Sequence, residues 1–207
     1  MTDEIISIII DVLQSFYREF FPSLLLATLF MYVYLYAVHS ESGGKGWKRA
    51  ALDFFVNFKE SQKFRKVFYL SLYTGMIISH TLLNREVWNN PLTNVVGNWG
   101  LYVFERKTGE MILTTECIEN IILFLPFGIL YMLFCEQGKK EKCFLRSIIL
   151  SFLLSISIEL LQLLLHFGTF QLSDLFFNTL GGTIGGSIYC VIVFVKELIH
   201  KKIKFKL

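Results

Sequence analysis

Long uncharged runs separated by short charged segments set the pattern of this chain. Residues 20–40 are 21 positions without Asp, Glu, Lys or Arg, and residues 67–84 are 18 more. Further runs cover 120–135 (16 residues), 147–173 (27 residues, interrupted by Glu159) and 175–195 (21 residues). A helix crosses the hydrocarbon core of a bilayer with about 20 apolar residues, within a range of about 17 to 25. The pattern therefore predicts an all-α, polytopic membrane helix bundle of about five spans, the third of them short, with interfacial helices in addition. One more uncharged stretch, 87–104, is rejected as a span. It holds Asn89, Asn90, Asn94 and Asn98 with Pro91, Gly97 and Gly100, whose polar groups would go unsatisfied against lipid. It reads as a surface or re-entrant loop.

The connecting segments have patterns of their own. Residues 3–20 set Asp3, Ser7, Asp11, Gln14 and Arg18 at helical spacing among apolar neighbours. Two readings fit: a helix lying on the outer membrane surface before Pro22, or an outward continuation of the first span as one bent helix. From Trp47 to Lys66 basic residues alternate with Phe54, Phe55, Phe58 and Phe64, which predicts a basic, aromatic helix resting on anionic headgroups. Leu101 to Glu105 and Met111 to Leu113 flank Arg106-Lys107-Thr108-Gly109, a short hairpin. Thr114 or Thr115 then caps a helix with Glu116 and Glu119 in its first turn, where carboxylates complement the helix dipole. Pro126, with Gly128 nearby, predicts a kink in the third span. The chain divides into 1–84, an interfacial helix and two spans, and 85–207, an outer loop and three spans, within one integral unit.

Composition agrees with the pattern. Of 207 residues 54% are hydrophobic and 18% charged, against roughly 25% charged in an average soluble domain. Soluble, disordered and fibrous classes are excluded. The net charge of +3 is a topology signal: segments 39–66, 136–146 and 196–206 hold 16 of the 20 Lys and Arg residues. The other four are Arg18, Arg85, Arg106 and Lys107. Basic loops stay in the cytoplasm, so the C-terminus is expected there and the N-terminus outside, in a multi-pass plasma-membrane protein with no nucleic-acid partner. The N-terminus opens with Asp3 and Glu4 and lacks the basic region of a cleavable signal peptide. Cys117, Cys135, Cys143 and Cys190 contain no CxxC pattern, so neither a disulfide nor a zinc site is expected.

The candidate chemistry concentrates in the last spans. Ser151, Ser155, Glu159, Gln162 and His166 fall within an arc of about 80° at about 100° per residue. A carboxyl deep in a membrane costs about 2.5 to 3.5 kcal/mol and normally faces the bundle interior with a partner. In the fifth span Asp174, Asn178, Gly181 and Gly185 share a face, and Gly182 with Gly186 forms a second small-residue ladder. Such ladders let helices approach closely, and the fourth and fifth spans are expected to pack through Gly181 and Gly185. With Glu119 and Asn120 starting the third span and His80 and Arg85 ending the second, the polar residues predict a cavity open toward the outer leaflet. Its candidate binding residues are Arg85, Asn120, Glu159, Gln162, His166, Asp174 and Asn178; Pro126, Gly128, Gly181, Gly182 and Gly185 are packing candidates. Glu159, Asp174, His80 and His166 lack the paired-histidine spacing of a metal site. No phosphate loop or GxSxG is present, so no cofactor is assigned.

At these residues the chain resembles the VanZ-like family of bacterial membrane proteins. The resemblance rests on Glu119-Asn120-Ile-Ile-Leu-Phe-Leu-Pro126-Phe127-Gly128, on Ser157-Ile-Glu159-Leu-Leu-Gln162, and on Thr169-Phe-Gln-Leu-Ser-Asp174-Leu-Phe-Phe-Asn178-Thr-Leu-Gly181-Gly182. The loop Asn90-Pro91-Leu92-Thr93-Asn94-Val95-Val96-Gly97 is also similar. Coverage is about 85–185, and the motif residues are Asn120, Glu159, Gln162, Asp174 and Asn178. The resemblance implies a bacterial envelope protein associated with resistance to teicoplanin, a glycopeptide antibiotic. Two functions follow from it and the cavity together. One is binding of membrane lipids, of a lipid-linked cell-wall precursor or of a lipoglycopeptide. The other is an integral-membrane hydrolase or transferase acting through Glu159 and Asp174, with His166 as acid. The sequence leaves enzyme and binding protein both open.

Overall fold

A computed structural model describes the chain except for residues 1, 40–46, 84–86, 101, 105–108, 114–115, 136–138 and 205–207. The helices are α1 (Thr2–His39), α2 (Trp47–Glu60), α3 (Gln62–Ile78), α4 (Glu116–Phe134), α5 (Lys140–Leu165) and α6 (Leu172–Lys204). A π-helical turn, Ser79–Leu83, continues α3. Strands β1 (Tyr102–Phe104) and β2 (Met111–Leu113) form the expected antiparallel hairpin, with Tyr102 opposite Leu113. The chain separates into two compact units, Met1–Asn84 and Arg85–Leu207.

In the N-terminal unit α1 is one helix of 38 residues with Pro22 inside it. The outward continuation of the first span is thus the reading that holds, and no break separates 3–20 from the span. Ala27, Met31 and Leu35 recur every four residues and are buried against Phe64 and Phe68 of α3. Ser23 abuts Gly75, so the two helices run antiparallel. The stretch from Trp47 to Lys66 is two helices, because Ser61 interrupts it: its hydroxyl accepts the Phe64 N–H at 3.2 Å and starts α3. Arg65 closes the corner by donating to the Phe58 and Lys59 carbonyls at 2.9 and 2.7 Å, satisfying the end of α2. Phe54 and Phe58 turn inward onto the Phe64–Phe68 core, whereas Leu52, Phe55 and Val56 are exposed.

Among the described residues four helices, against the about five spans expected, are long and apolar enough to cross a membrane: Tyr17–Ala37 of α1, α4, α5, and Leu172–Lys201 of α6. Helix α3, with 17 residues before the π turn, is not among them, and α4, expected to be the short span, reaches 19 residues.

Glycines organise the C-terminal unit. A Cβ at Gly181 would strike the Ile121 backbone of α4, and one at Gly185 the Leu125 backbone; a Cβ at Gly128 would strike Gly182 of α6. Helices α4 and α6 therefore run parallel with their backbones touching. The other α6 ladder serves α5: Gly182 faces Ser151, and Gly186 faces Phe144 and Ser147, so α5 runs antiparallel. The expected pairing of the last two spans through Gly181 and Gly185 is corrected accordingly. Adjacent helix positions point about 100° apart, which sends the two ladders to two different neighbours.

Two further expectations are overturned. Cys135 and Cys143 form a disulfide across the α4–α5 turn. Their spacing of eight residues carries no motif, but the reversal of the chain returns their Cα atoms to 5.9 Å, within bridging range. The fourth span does not run to Ser173: α5 ends at Leu165, with His166 in the left-handed conformation (φ 57°) and its N–H on the Gln162 carbonyl.

Candidate functional site

The buried face of α5 is polar along its length. Ser147, Ser151 and Ser155 have no exposed surface, Glu159 has 1% and Gln162 has 2%. Ser147, Ser151, Ser155 and Glu159 meet α6 or the segment leading into it. The Asn178 side-chain amide donates to Ser155 Oγ at 3.0 Å, and Glu159 Oε2 accepts the Gln171 backbone N–H at 2.8 Å. One turn along each helix from the Ser155–Asn178 bond, the antiparallel register sets Glu159 level with Asp174. Asp174 is 7% exposed and Asn178 2%. Two carboxyl groups and two carboxamides thus gather at the N-terminal end of α6, where the helix dipole favours negative charge.

A roof covers this cluster. The Phe170 and Leu172 N–H groups donate to the Pro91 and Val95 carbonyls, both at 2.9 Å, so the loop after residue 90 clasps the entry to α6. Gly97 takes a φ of 75°, and a Cβ there would land on Ser173 Oγ, with Gln171 Oε1 at 2.9 Å. Only glycine accepts both that backbone conformation and that approach. Trp99 packs on Phe176 and Phe177, and Asn98 donates to Glu116 Oε2 at 2.9 Å. The loop is thereby fixed to α4 and α6 together. It is irregular, as its asparagines, proline and glycines predict.

The structure gathers Glu159, Gln162, Asp174 and Asn178. His166 stands apart, exposed, with Nδ1 3.1 Å from the Trp88 carbonyl while its own carbonyl accepts the Trp88 N–H at 2.8 Å. It ends α5 and ties the roof down. Asn120 is half-buried on α4. Arg85 lies outside the described residues. The sequence does not single out Gln171 and Gly97, which close the cluster, although both fall inside the motifs that carry the resemblance. Glu19 reads in the sequence as the edge of a span, whereas it is buried on α1 at 4% exposure. Among the described residues no three His, Cys, Asp or Glu side chains are placed to share a metal ion.

One atom of the cluster lacks a partner. Asn178 Oδ1 is buried without a hydrogen bond among the described residues; turning the amide over would leave its N–H₂ in that position instead. The described cavities of this unit, of about 240 and 670 Å³, lie at the other end of the helices, around Cys135, Lys140 and Lys196.

The VanZ/LLP1 family model matches residues 23–194. That match takes in Ser23 to Asn84, which the motif resemblance alone did not reach. Over 74 residues the chain is 34% identical to Protein VanZ of Enterococcus faecium, a stretch of 36% of this chain and 44% of that protein. The chain thus matches less than half the length of that relative. No solved structure matches the chain.

Proposed function

The chain belongs to the VanZ/LLP1 family, and from that premise we propose that its buried polar cluster recognises the hydrogen-bonding head of an amphiphile at the outer face of the membrane. The amphiphile is a lipid-linked cell-wall precursor or a lipoglycopeptide of the teicoplanin class. The observation that carries this reading is Asn178 Oδ1, an acceptor 2% exposed and without a donor. Leaving such a group unmet costs about 1–3 kcal/mol, and an aliphatic residue of similar size would remove the cost. Beside it, Glu159 and Asp174 add acceptors and Gln162 adds a donor and an acceptor, a set matched to sugar hydroxyls and peptide amides. Catalysis needs an acid placed against the carboxylates, and His166 is engaged with Trp88 at the surface instead.

Dose–response to teicoplanin, at matched membrane abundance, tests the site. Asn178→Leu and Glu159→Gln should each lower resistance several-fold with the protein still present in the membrane. Resistance unchanged in both variants at full abundance would remove the site.

The membrane topology we propose has α3 with its π turn as a fifth crossing. Residues 62–83 give about 33 Å of helix at about 1.5 Å per residue, enough for a core of about 30 Å. The sixteen-to-four division of basic residues then puts the N-terminus and the 84–117 loop outside. Glu110, exposed beside the hairpin, is the place to ask. Glu110→Cys should react with a membrane-impermeant maleimide in intact cells; reaction only after lysis inverts the topology.

A further inference from the structure

Helix α6 outruns the helix it packs on. Gly181 lies against Ile121 of α4 and Gly185 against Leu125, a constant offset of 60 positions between two parallel helices. At that offset Phe134, the last residue of α4, is level with Phe194, whereas α6 continues to Lys204, about 15 Å farther at about 1.5 Å per residue. The face of α6 that α4 covers therefore runs on past the end of α4. Ile192, Lys196 and His200 follow one another along it at intervals of four, and at about 100° per residue all three stay within about 60° of Gly185. An apolar face thus turns basic where its neighbour stops.

A cavity of about 670 Å³ fills this corner, within the range of about 300–1,000 Å³ typical of ligand sites. Ile129, Leu133 and Ile192 line it toward the middle of the helices; Lys196, His200 and Lys201 line it toward their ends. The three basic side chains are exposed. Among the described residues no carboxylate lies within ion-pair distance of them, and the carboxylate on the cavity lining, Glu197, is held by Lys140 of α5 at 2.5 Å. A count of basic residues is enough to orient a membrane protein. It does not require them to share one helix face beside an apolar hollow.

We propose that this corner binds an anionic phospholipid of the adjacent leaflet, its phosphodiester held by Lys196, His200 and Lys201 and the upper part of its acyl chains lying on Ile129, Leu133 and Ile192. An ionised phosphodiester presents acceptors, and the lysine ammonium and histidine ring N–H groups are donors. Basic pockets between membrane helices take anionic headgroups for this reason. A zwitterionic head brings its own cation to the same place and is disfavoured. The site lies at the opposite end of the helices from the Glu159 cluster and does not depend on it.

The test uses the full chain in phosphatidylcholine nanodiscs, with photoreactive phosphatidylglycerol as a trace component and photoreactive phosphatidylcholine of the same acyl chains as its zwitterionic counterpart. Labelling by phosphatidylglycerol should map to residues 129–133 and 192–201 and exceed labelling by phosphatidylcholine there. Lys196→Gln and Lys201→Gln should each cut it about fivefold, equivalent to about 1 kcal/mol, and the double variant should label no better with phosphatidylglycerol than with phosphatidylcholine. Lys139, at the start of α5 and outside the cavity lining, is the control for charge alone: Lys139→Gln should leave labelling unchanged. Equal labelling by the two lipids, labelling that maps elsewhere, a loss with Lys139→Gln as large as with Lys196→Gln, or displacement of the lipid by inorganic phosphate alone would each overturn the proposal.

Discussion

The two units solve one problem in opposite ways. Each packs an antiparallel helix pair over a buried carboxyl and a seam of small residues: Glu19 and Ser23 against Gly75 and Ser79 in one, Glu159, Ser155 and Ser151 against Asn178 and Gly182 in the other. The C-terminal unit draws its helices together until backbones touch, and α4, α5 and α6 meet through Gly128, Gly181, Gly182, Gly185 and Gly186. The N-terminal unit brings α1 and α3 close at Ser23 and Gly75 and fills the rest of their seam with side chains, through Met31, Phe64 and Phe68. Association in a membrane rests on van der Waals contact and on hydrogen bonds between helices, since lipid is as apolar as leucine. Close backbone approach supplies the first in the C-terminal unit, and the Ser155–Asn178 and Glu159–Gln171 bonds supply the second. The N-terminal unit has aromatic bulk instead.

The largest effect that separates the two designs is on glycine. Gly128→Ala sets a methyl against the Gly182 carbonyl, with the Gly186 nitrogen at 3.0 Å, and neither backbone atom has a rotamer by which to withdraw. Overpacking of this kind costs about 1–3 kcal/mol and occasionally more, and here the expected loss lies at the upper end. The measurement is resistance to unfolding in detergent with increasing dodecyl sulfate. Gly128→Ala should unfold well before wild type. If it unfolds with wild type, backbone contact is not what holds α4 to α6, and the contrast between the units fails.

The legible part of this contrast was the part that repeats along a helix. Serines and Glu159 at intervals of four, and glycines at intervals of four, state a helix face whatever lies opposite. The sequence does not say which neighbour each face meets. Gly181 and Gly182 are adjacent letters that serve different helices, and only the packed structure assigns them. His166 continues the periodic face of α5, yet Gly168 follows it with a φ of 94°, and the chain turns before the period is completed. The closing of the cluster by Gly97 depends on contacts with Gln171 and Ser173 across more than 70 positions, which no local pattern records. Cys135 and Cys143 were missed for the same reason, because a turn brings them together. Glu19 is hidden because a charge reads as the end of a span in the sequence, and α1 carries it inside.

The smallest effect compares two buried serines. Ser155 accepts the Asn178 amide at 3.0 Å, whereas Ser23 has no partner among the described residues; both are fully buried. Removing one member of a buried hydrogen bond strands the other at about 1–3 kcal/mol, while removing a hydroxyl that bonds nothing relieves its desolvation. Ser155→Ala should therefore destabilise the C-terminal unit by about 1 kcal/mol or slightly more, because Asn178 already has one unmet polar end and would gain a second. Ser23→Ala should leave the N-terminal unit as stable as before or slightly more stable. Both changes delete one oxygen atom from a fully buried site, so differences in cavity volume do not confuse the comparison. Unfolding midpoints in the same detergent, with the two variants side by side, decide the matter. Equal losses would mean that Ser23 is bonded in the folded protein, and the contrast between the two helix seams would fail.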